Sequence, residues 1–236
     1  MNRELSSSSL VMVGTVHRDP KGFGRLLRIL EREGPDFITV EISSYAREFR
    51  RKRSSDLRLI LMENLKKIQG EEREKYRHLL FHGEIQGIFL LLKVPFEWGA
   101  SEVYAERRQI ELRAIDLSAY AEEKLMHISE LIDLENLRAL LRSPQTPIDD
   151  QVNLQYKRAR MLWNHPPATG STILEEVQER EAHMAGEIRR LMEENKKRKI
   201  LHVGGWEHLM ETLHGKSLFT RLGDLKPRRL LLADNI

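Results

Sequence analysis

Leu10-Val11-Met12-Val13-Gly14-Thr15-Val16-His17 is an apolar run that closes on a glycine turn and a histidine. Its length and β-branched content predict a short buried strand that hands His17 to the following loop. A near-echo returns late in the chain: Ile200-Leu201-His202-Val203-Gly204-Gly205-Trp206-Glu207-His208. Two apolar strands, each leading into Gly-x-x-His, therefore bracket almost the whole sequence. The two histidines meet only if the strand ending at Val203 lies beside, or one removed from, the strand ending at Val13.

Working outward from the first strand, Asp19-Pro20 marks a helix start, because Asp accepts free amide hydrogens and Pro suits the first turn. Leu26, Leu27, Ile29 and Leu30 give that helix an apolar side, and Gly34-Pro35 stops it. Phe37-Ile38-Thr39-Val40-Glu41 reads as a second buried strand. Strand, helix and strand in succession make a βαβ unit, so the two strands are expected to be parallel and near neighbours. Ser43 or Ser44 caps the next helix. A long helical region follows over about 56–92, broken near Gly70 and Gly83. Gly99 opens another helix with Ser101 as its cap, and Arg113-Ala114-Ile115-Asp116 is a third strand. Further helices are expected over about 118–142, 150–163 and 172–197, the last with Thr172 and Glu175 as a capping box. Its stripe of Ile173, Val177, Met184, Ile188 and Leu191 is interrupted by Arg180 and Glu181, charges that are either snorkelling or working. Residues 199–203 and 229–233 are the last strands, with a helix over 206–213 between them. The fold class is α/β, a central largely parallel or mixed sheet flanked by many helices. Residues 1–236 read as a single domain with largely helical insertions at about 43–112 and 118–197.

Composition bounds the function. The 236 residues are 40% hydrophobic and 32% charged, enough for one sizeable α/β domain with a solvated helical surface. No cysteine is present, which excludes disulfides, thiolate metal sites and cysteine nucleophiles. The polar N-terminus lacks a signal-like apolar core and no run reaches membrane-spanning length, so the expectation is a cytoplasmic protein without a membrane segment. A net charge of +3 implies no partner by itself. Arg47, Arg50, Arg51, Lys52 and Arg53 form a basic cluster. Without base-stacking aromatics beside it, a solvated helix face is the favoured reading over a nucleic-acid surface.

The chemistry lies in placement. His17, Glu41, Asp116 and His208 each follow an expected strand, and ligands of open α/β sheets gather outside the carboxyl ends of the strands. Two histidines and a carboxylate suit Zn, Mn, Fe or Co and leave positions open for water or substrate. Each residue also has an ordinary explanation. A histidine after a strand often serves only as a loop hydrogen-bonder. Asp116 could cap the next helix, and Glu102 would suit a first helical turn on electrostatic grounds alone. His202, inside a strand, reads as a sheet-face histidine.

These residues resemble the TraB/PrgY family, with its relatives GumN and the Tiki metalloproteases. The resemblance runs in order through Val13-Gly14-Thr15-Val16-His17, Pro35-Asp36, Val40-Glu41, Gly99, Glu102, Ile115-Asp116, Glu179-Arg180-Glu181, Met184 and Val203-Gly204-Gly205-Trp206-Glu207-His208-Leu209. It implies a fold of the erythromycin-esterase/ChaN type and a divalent-metal site (Mn, Co or Zn) held by His17, Glu41 and His208. For some members it also implies peptide cleavage. Glu102 or Asp116 would then complete the shell or act as base, with Arg180 or Arg47 steadying a substrate carboxylate or developing oxyanion. The expected activity is a metal-dependent hydrolase of peptides or small amides and esters; self-association into a homo-oligomer is compatible with it. The alternative is a non-catalytic protein that sequesters a peptide or small ligand in the same crevice.

Overall fold

Leu10–Thr15 forms β1, and all six residues are buried, as an unbroken apolar run requires of a strand covered on both faces. The computed structural model describes residues 9–71, 78–142, 144–165, 175–194, 198–211 and 216–234. After β1, the Asp19 carboxylate accepts from the Lys21 amide and the Arg25 guanidinium, and helix α1 (Gly22–Glu33) begins there. Gly34 ends it in the left-handed conformation, φ 56°, which glycine adopts without a Cβ penalty. Strand β2 (Phe37–Val40) follows, and Ser43 Oγ accepts from the Ala46 amide to open α2 (Ser44–Glu71).

Helix α2 is one helix of 28 residues where two were expected, since no glycine or proline interrupts positions 44–69. Helices α3 (Gly83–Leu92) and α4 (Phe96–Arg108) come next. The latter starts from Pro95 rather than at Gly99, so Ser101 is no cap but a buried residue of the helix interior. Strand β3 (Glu111–Ala114) is followed by α5 (Ser118–Met126), α6 (Ile128–Leu131), α7 (Leu134–Leu140) and α8 (Ile148–Asn164). Three short helices thus replace the single one expected over 118–142. The chain closes with α9 (Glu175–Glu194), β4 (Ile200–Gly205), α10 (Leu218–Arg221) and β5 (Arg228–Leu231). The expected helix after β4 is a 3₁₀ turn, Trp206–Leu209. Thr172, the proposed capping-box residue, lies outside the described residues.

The five strands form one sheet in the order β3-β2-β4-β1-β5, and every pairing is parallel. Strand β4 sits between β1 and β2, pairing Val13 with Val203 and Thr39 with His202. The condition for the two histidines to meet is therefore satisfied, and all strands bring their carboxyl ends to one edge. Val11, Val13, Ile38, Val40, Leu201 and Val203 face α1 and α4. Leu10, Met12, Phe37 and Ile200 face α9 through Met184, Ile188 and Leu191. A separate apolar cluster joins α2, α3 and α7 beside the sheet, centred on Leu57, Leu61, Leu65, Ile85 and Leu137. Among the described residues no helix is long and apolar enough to cross a membrane.

Leu61 is fully buried at the centre of that helical cluster and far in sequence from the strand ends. Leu61→Ala is expected to cost about 2–5 kcal/mol, read as a lowered urea midpoint, while the sheet-edge site keeps its ligand binding.

Candidate active site

Each functional side chain arrives from a defined element. His17 leaves β1 two residues after Thr15. Its Nδ1 donates to Glu97 Oε1 at 2.9 Å, and Thr15 Oγ1 donates to the same oxygen at 2.8 Å. Glu97 stands in the first turn of α4 and is nearly fully buried. His208, on the turn after β4, is held at both nitrogens. Nδ1 bonds to Glu181 Oε1 of α9 at 2.5 Å and Nε2 to Glu41 Oε1 at 2.7 Å. Glu41, one residue past β2, also accepts from the Gly205 amide at 2.7 Å and from Arg180 Nη2 at 3.1 Å. Arg180, from α9, grips Asp116 with two bonds of 2.9 and 2.8 Å.

The site thus straddles the sheet edge. The His17–Glu97 pair comes from the α1/α4 layer, the His208–Glu181 pair and Arg180 from α9, and Glu41 lies between them. Glycines make the approach possible. A Cβ on Gly205 would lie 2.9 Å from His17 Nε2 and 3.4 Å from His208 Cδ2, so the two imidazoles crowd the same point. A Cβ on Gly204 would lie 2.9 Å from both Glu41 Oε2 and His202 Nε2. His202 occupies the α9 face, its Nδ1 paired with Thr39 Oγ1 at 3.0 Å.

Electrostatics bind these groups into one unit. Burial alone would raise the Glu41 carboxyl, yet the His208, His17 and Arg180 charges and the His208 hydrogen bond hold it far below the carboxylate range. Just over half of the His17 side chain is exposed (55%), and it lines the cavity. Burial pushes His17 down, but its bond to Glu97 and the charges of Glu97 and Glu41 win and lift it from 6.5 to about 9. His208 is likewise raised against the effect of burial, by Glu41 and Glu181. His202 is pulled down to about 4 by burial, only partly offset by Glu41. Three buried side-chain atoms here, Glu97 Oε2, Glu181 Oε2 and His202 Nε2, make no hydrogen bond among the described residues. Unpaired buried polar atoms are rare in folded proteins; Arg47 Nε, Ser101 Oγ and both His82 ring nitrogens, outside this network, are unpaired too among the described residues.

The donor set fits a divalent ion in its chemistry. Each imidazole has Nδ1 fixed by a buried carboxylate, the arrangement that orients metal-bound histidines. Four carboxylates, Glu41, Glu97, Glu181 and Asp116, face one guanidinium, a negative excess that either two imidazolium charges or one divalent ion reduces without cancelling. As placed, His208 bonds Glu41 directly, and among the described residues no three His, Asp or Glu side chains stand at ligating geometry.

Two expected residues lie elsewhere. Glu102 is on the second turn of α4, on a different face from Glu97; it accepts from Trp98 Nε1 at 3.0 Å and pairs with Arg51. Arg47 stacks over Trp98 at 4.7 Å and reaches Glu48, and neither it nor Glu102 lines the crevice. Five residues apart on one helix, the two acids lie roughly 140° apart round its axis, so with Glu97 against β1 Glu102 faces α2. Asp116 does not cap α5; it serves Arg180 instead. Glu97 was missed altogether, since an acid two residues after a proline is an ordinary first-turn acid. Glu181 was visible as a charge on an apolar stripe.

No family model matches the chain, and no curated protein matches it. Among solved structures it is similar to an erythromycin esterase mutant, EreC, in its open conformation, at 16% sequence identity and a TM-score of 0.40, covering 95% of this chain and 70% of that one. A likeness at that level says nothing of activity.

The depressed His202 pKa has a measurable consequence. The unfolded chain protonates this imidazole below pH 6.5 while the folded chain does so only below about 4, so its contribution falls as pH drops through that window. Denaturant unfolding should show wild type losing on the order of 3 kcal/mol more than His202→Gln between those limits. Parallel pH profiles for the two proteins would contradict it.

Proposed function

We propose that the crevice at the carboxyl ends of β1, β2 and β4 is the active site of a hydrolase acting on an ester or amide bond, peptide bonds included. A divalent metal, Mn, Co or Zn, is its cofactor, held by His17 Nε2, His208 Nε2 and Glu41. The observation that carries this reading is the pairing of two imidazoles, each backed by a buried carboxylate, over glycines that clear the space beside Glu41. The ordered resemblance to the TraB/PrgY group supports it. A metal held there would take the place of the direct His208–Glu41 bond and of protons on the two histidines.

A metal bound there supplies Lewis acidity, which lowers the pKa of water and polarises a carbonyl. The chain supplies the rest. Glu97 and Glu181 fix the ring orientation of His17 and His208. Asp116 locks the Arg180 guanidinium, and Arg180 Nη1, which makes no bond among the described residues, is available to a developing oxyanion. Asp116 is thereby a positioning residue; Glu102 and Arg47 take no part.

The expected result is bound metal in the purified protein by elemental analysis, and a rise in Tm on adding Mn, Co or Zn that His17→Ala removes. Absence of metal together with no shift on adding any of the three would sink the reading. Glu97→Gln keeps the shape of the carboxylate but loses its charge, and should weaken metal affinity by about 10–100-fold.

The direct His208–Glu41 bond, which closes the network on itself, favours a second reading: a protein that sequesters a peptide or small ligand without turnover. His17→Ala would then leave ligand affinity intact, with no hydrolysis by either protein.

A further inference from the structure

The crevice continues past the catalytic side chains into a cavity of about 440 Å³, and its two ends differ in chemistry. At the sheet end the lining carboxylates are Glu41 and Asp116, both engaged by Arg180. Beyond them the walls are apolar: Ala46 of α2, Leu90 and Leu91 of α3, Ala121 and Leu125 of α5, and Ile128 of α6. Beside Leu90 and Leu91 the lining carries Arg50 and Lys93; Arg18, Lys124 and His127 also line the cavity, Lys124 paired with Glu176, and among the described residues no carboxylate lines it besides Glu41 and Asp116.

Arg50 is half-buried and forms no ion pair among the described residues; its partners are backbone carbonyls, Leu91 O at 3.1 Å from Nε and Ala46 O at 3.3 Å from Nη1. Those bonds account for its position as a cap on the end of α3, but neutral acceptors leave the charge uncompensated, and Nη2 is unspent. Because Nε reaches Leu91, Lys93 stands two residues from its contact, exposed and likewise without an ion pair among the described residues. The neighbouring Arg18 is only 4.0 Å from Glu84. A partly desolvated guanidinium without a counter-charge, beside a lysine at one end of an apolar chamber, calls for an anion from outside the chain.

We propose that the cavity takes an amphipathic carboxylate: an apolar body lies along Ala46, Leu90 and Leu125, and its carboxylate sits on Arg50 and Lys93. Resting on the hydrolase reading, the substrate is then an ester or amide that carries a free carboxylate beyond an apolar segment, such as an apolar peptide cleaved near its C-terminus.

Isothermal titration with octanoate, 1-octanol and octylammonium tests the carboxylate site without requiring turnover. Octanoate should bind about tenfold or more tighter than either neutral or cationic analogue, and Arg50→Gln should erase that preference. Should Arg50→Gln fail to fold for want of its bond to α3, Lys93→Gln, at an exposed position, should cut octanoate affinity several-fold in a protein of unchanged Tm. Equal affinity for octanoate and octanol, or octanoate affinity unchanged in the variants that fold, overturns the proposal. Hydrolysis of 4-nitrophenyl esters and of apolar peptide 4-nitroanilides, followed in parallel with metal added, separates the two readings. Carboxylate preference without hydrolysis of either class defeats the hydrolase and keeps the anion site, whereas hydrolysis without that preference does the reverse.

Discussion

The rest of the molecule is arranged around one buried carboxylate. Glu41 follows a strand with apolar neighbours on both sides, and only 5% of its side chain is exposed. Desolvating an ionised carboxylate costs several kcal/mol unless charge and hydrogen bonds replace the lost water. Here the replacements are the Gly205 amide, the His208 imidazole and the Arg180 guanidinium. They come from β4, from the turn behind it and from α9. The need to satisfy one carboxylate thus fixes where three distant parts of the sequence must converge.

Close packing at that point has its own requirement. Glu41, His17, His202 and His208 fit around β4 only because residues 204 and 205 have no Cβ. The same geometry separates the two imidazoles by environment. His17 keeps an edge open to the cavity, while His208 is sealed between Glu41 and Glu181. One imidazole is therefore open to the cavity and the other is largely buried. A charged network of this kind contributes little net stability for its cost. Its retention in the midst of unsatisfied atoms is the physical ground for reading it as a working site.

The sequence was legible where local pattern and burial agree. The β1 and β4 runs, the left-handed stop at Gly34 and the Ser43 cap all rest on interactions within a few residues, and each is present. Errors fell where the deciding contact is distant. Gly99 looked like a helix start because glycine usually punctuates, yet Pro95 opens α4 and Gly99 is carried inside it. Within that helix Glu102 meets Arg51 and Trp98, and Glu97 meets His17. The basic cluster on α2 is likewise more than a solvated face: Arg47 lies over Trp98, Arg51 pairs with Glu102, and Arg50 turns to the end of α3.

By itself, the sequence determined the α/β class, the parallel sense of β1 and β2, and the position of His17, Glu41 and His208 just past strand ends. Those properties follow from periodicity and from the chirality of strand–helix–strand connections, which act locally. Only the tertiary structure decided that β4 inserts between β1 and β2, that Glu97 and Glu181 back the two histidines, and that Arg180 rather than Arg47 meets Glu41. Those choices depend on which side chains of remote helices reach the sheet edge. A rotation of one residue about a helix axis, some 100°, exchanges one acid for another without leaving a mark on the local pattern.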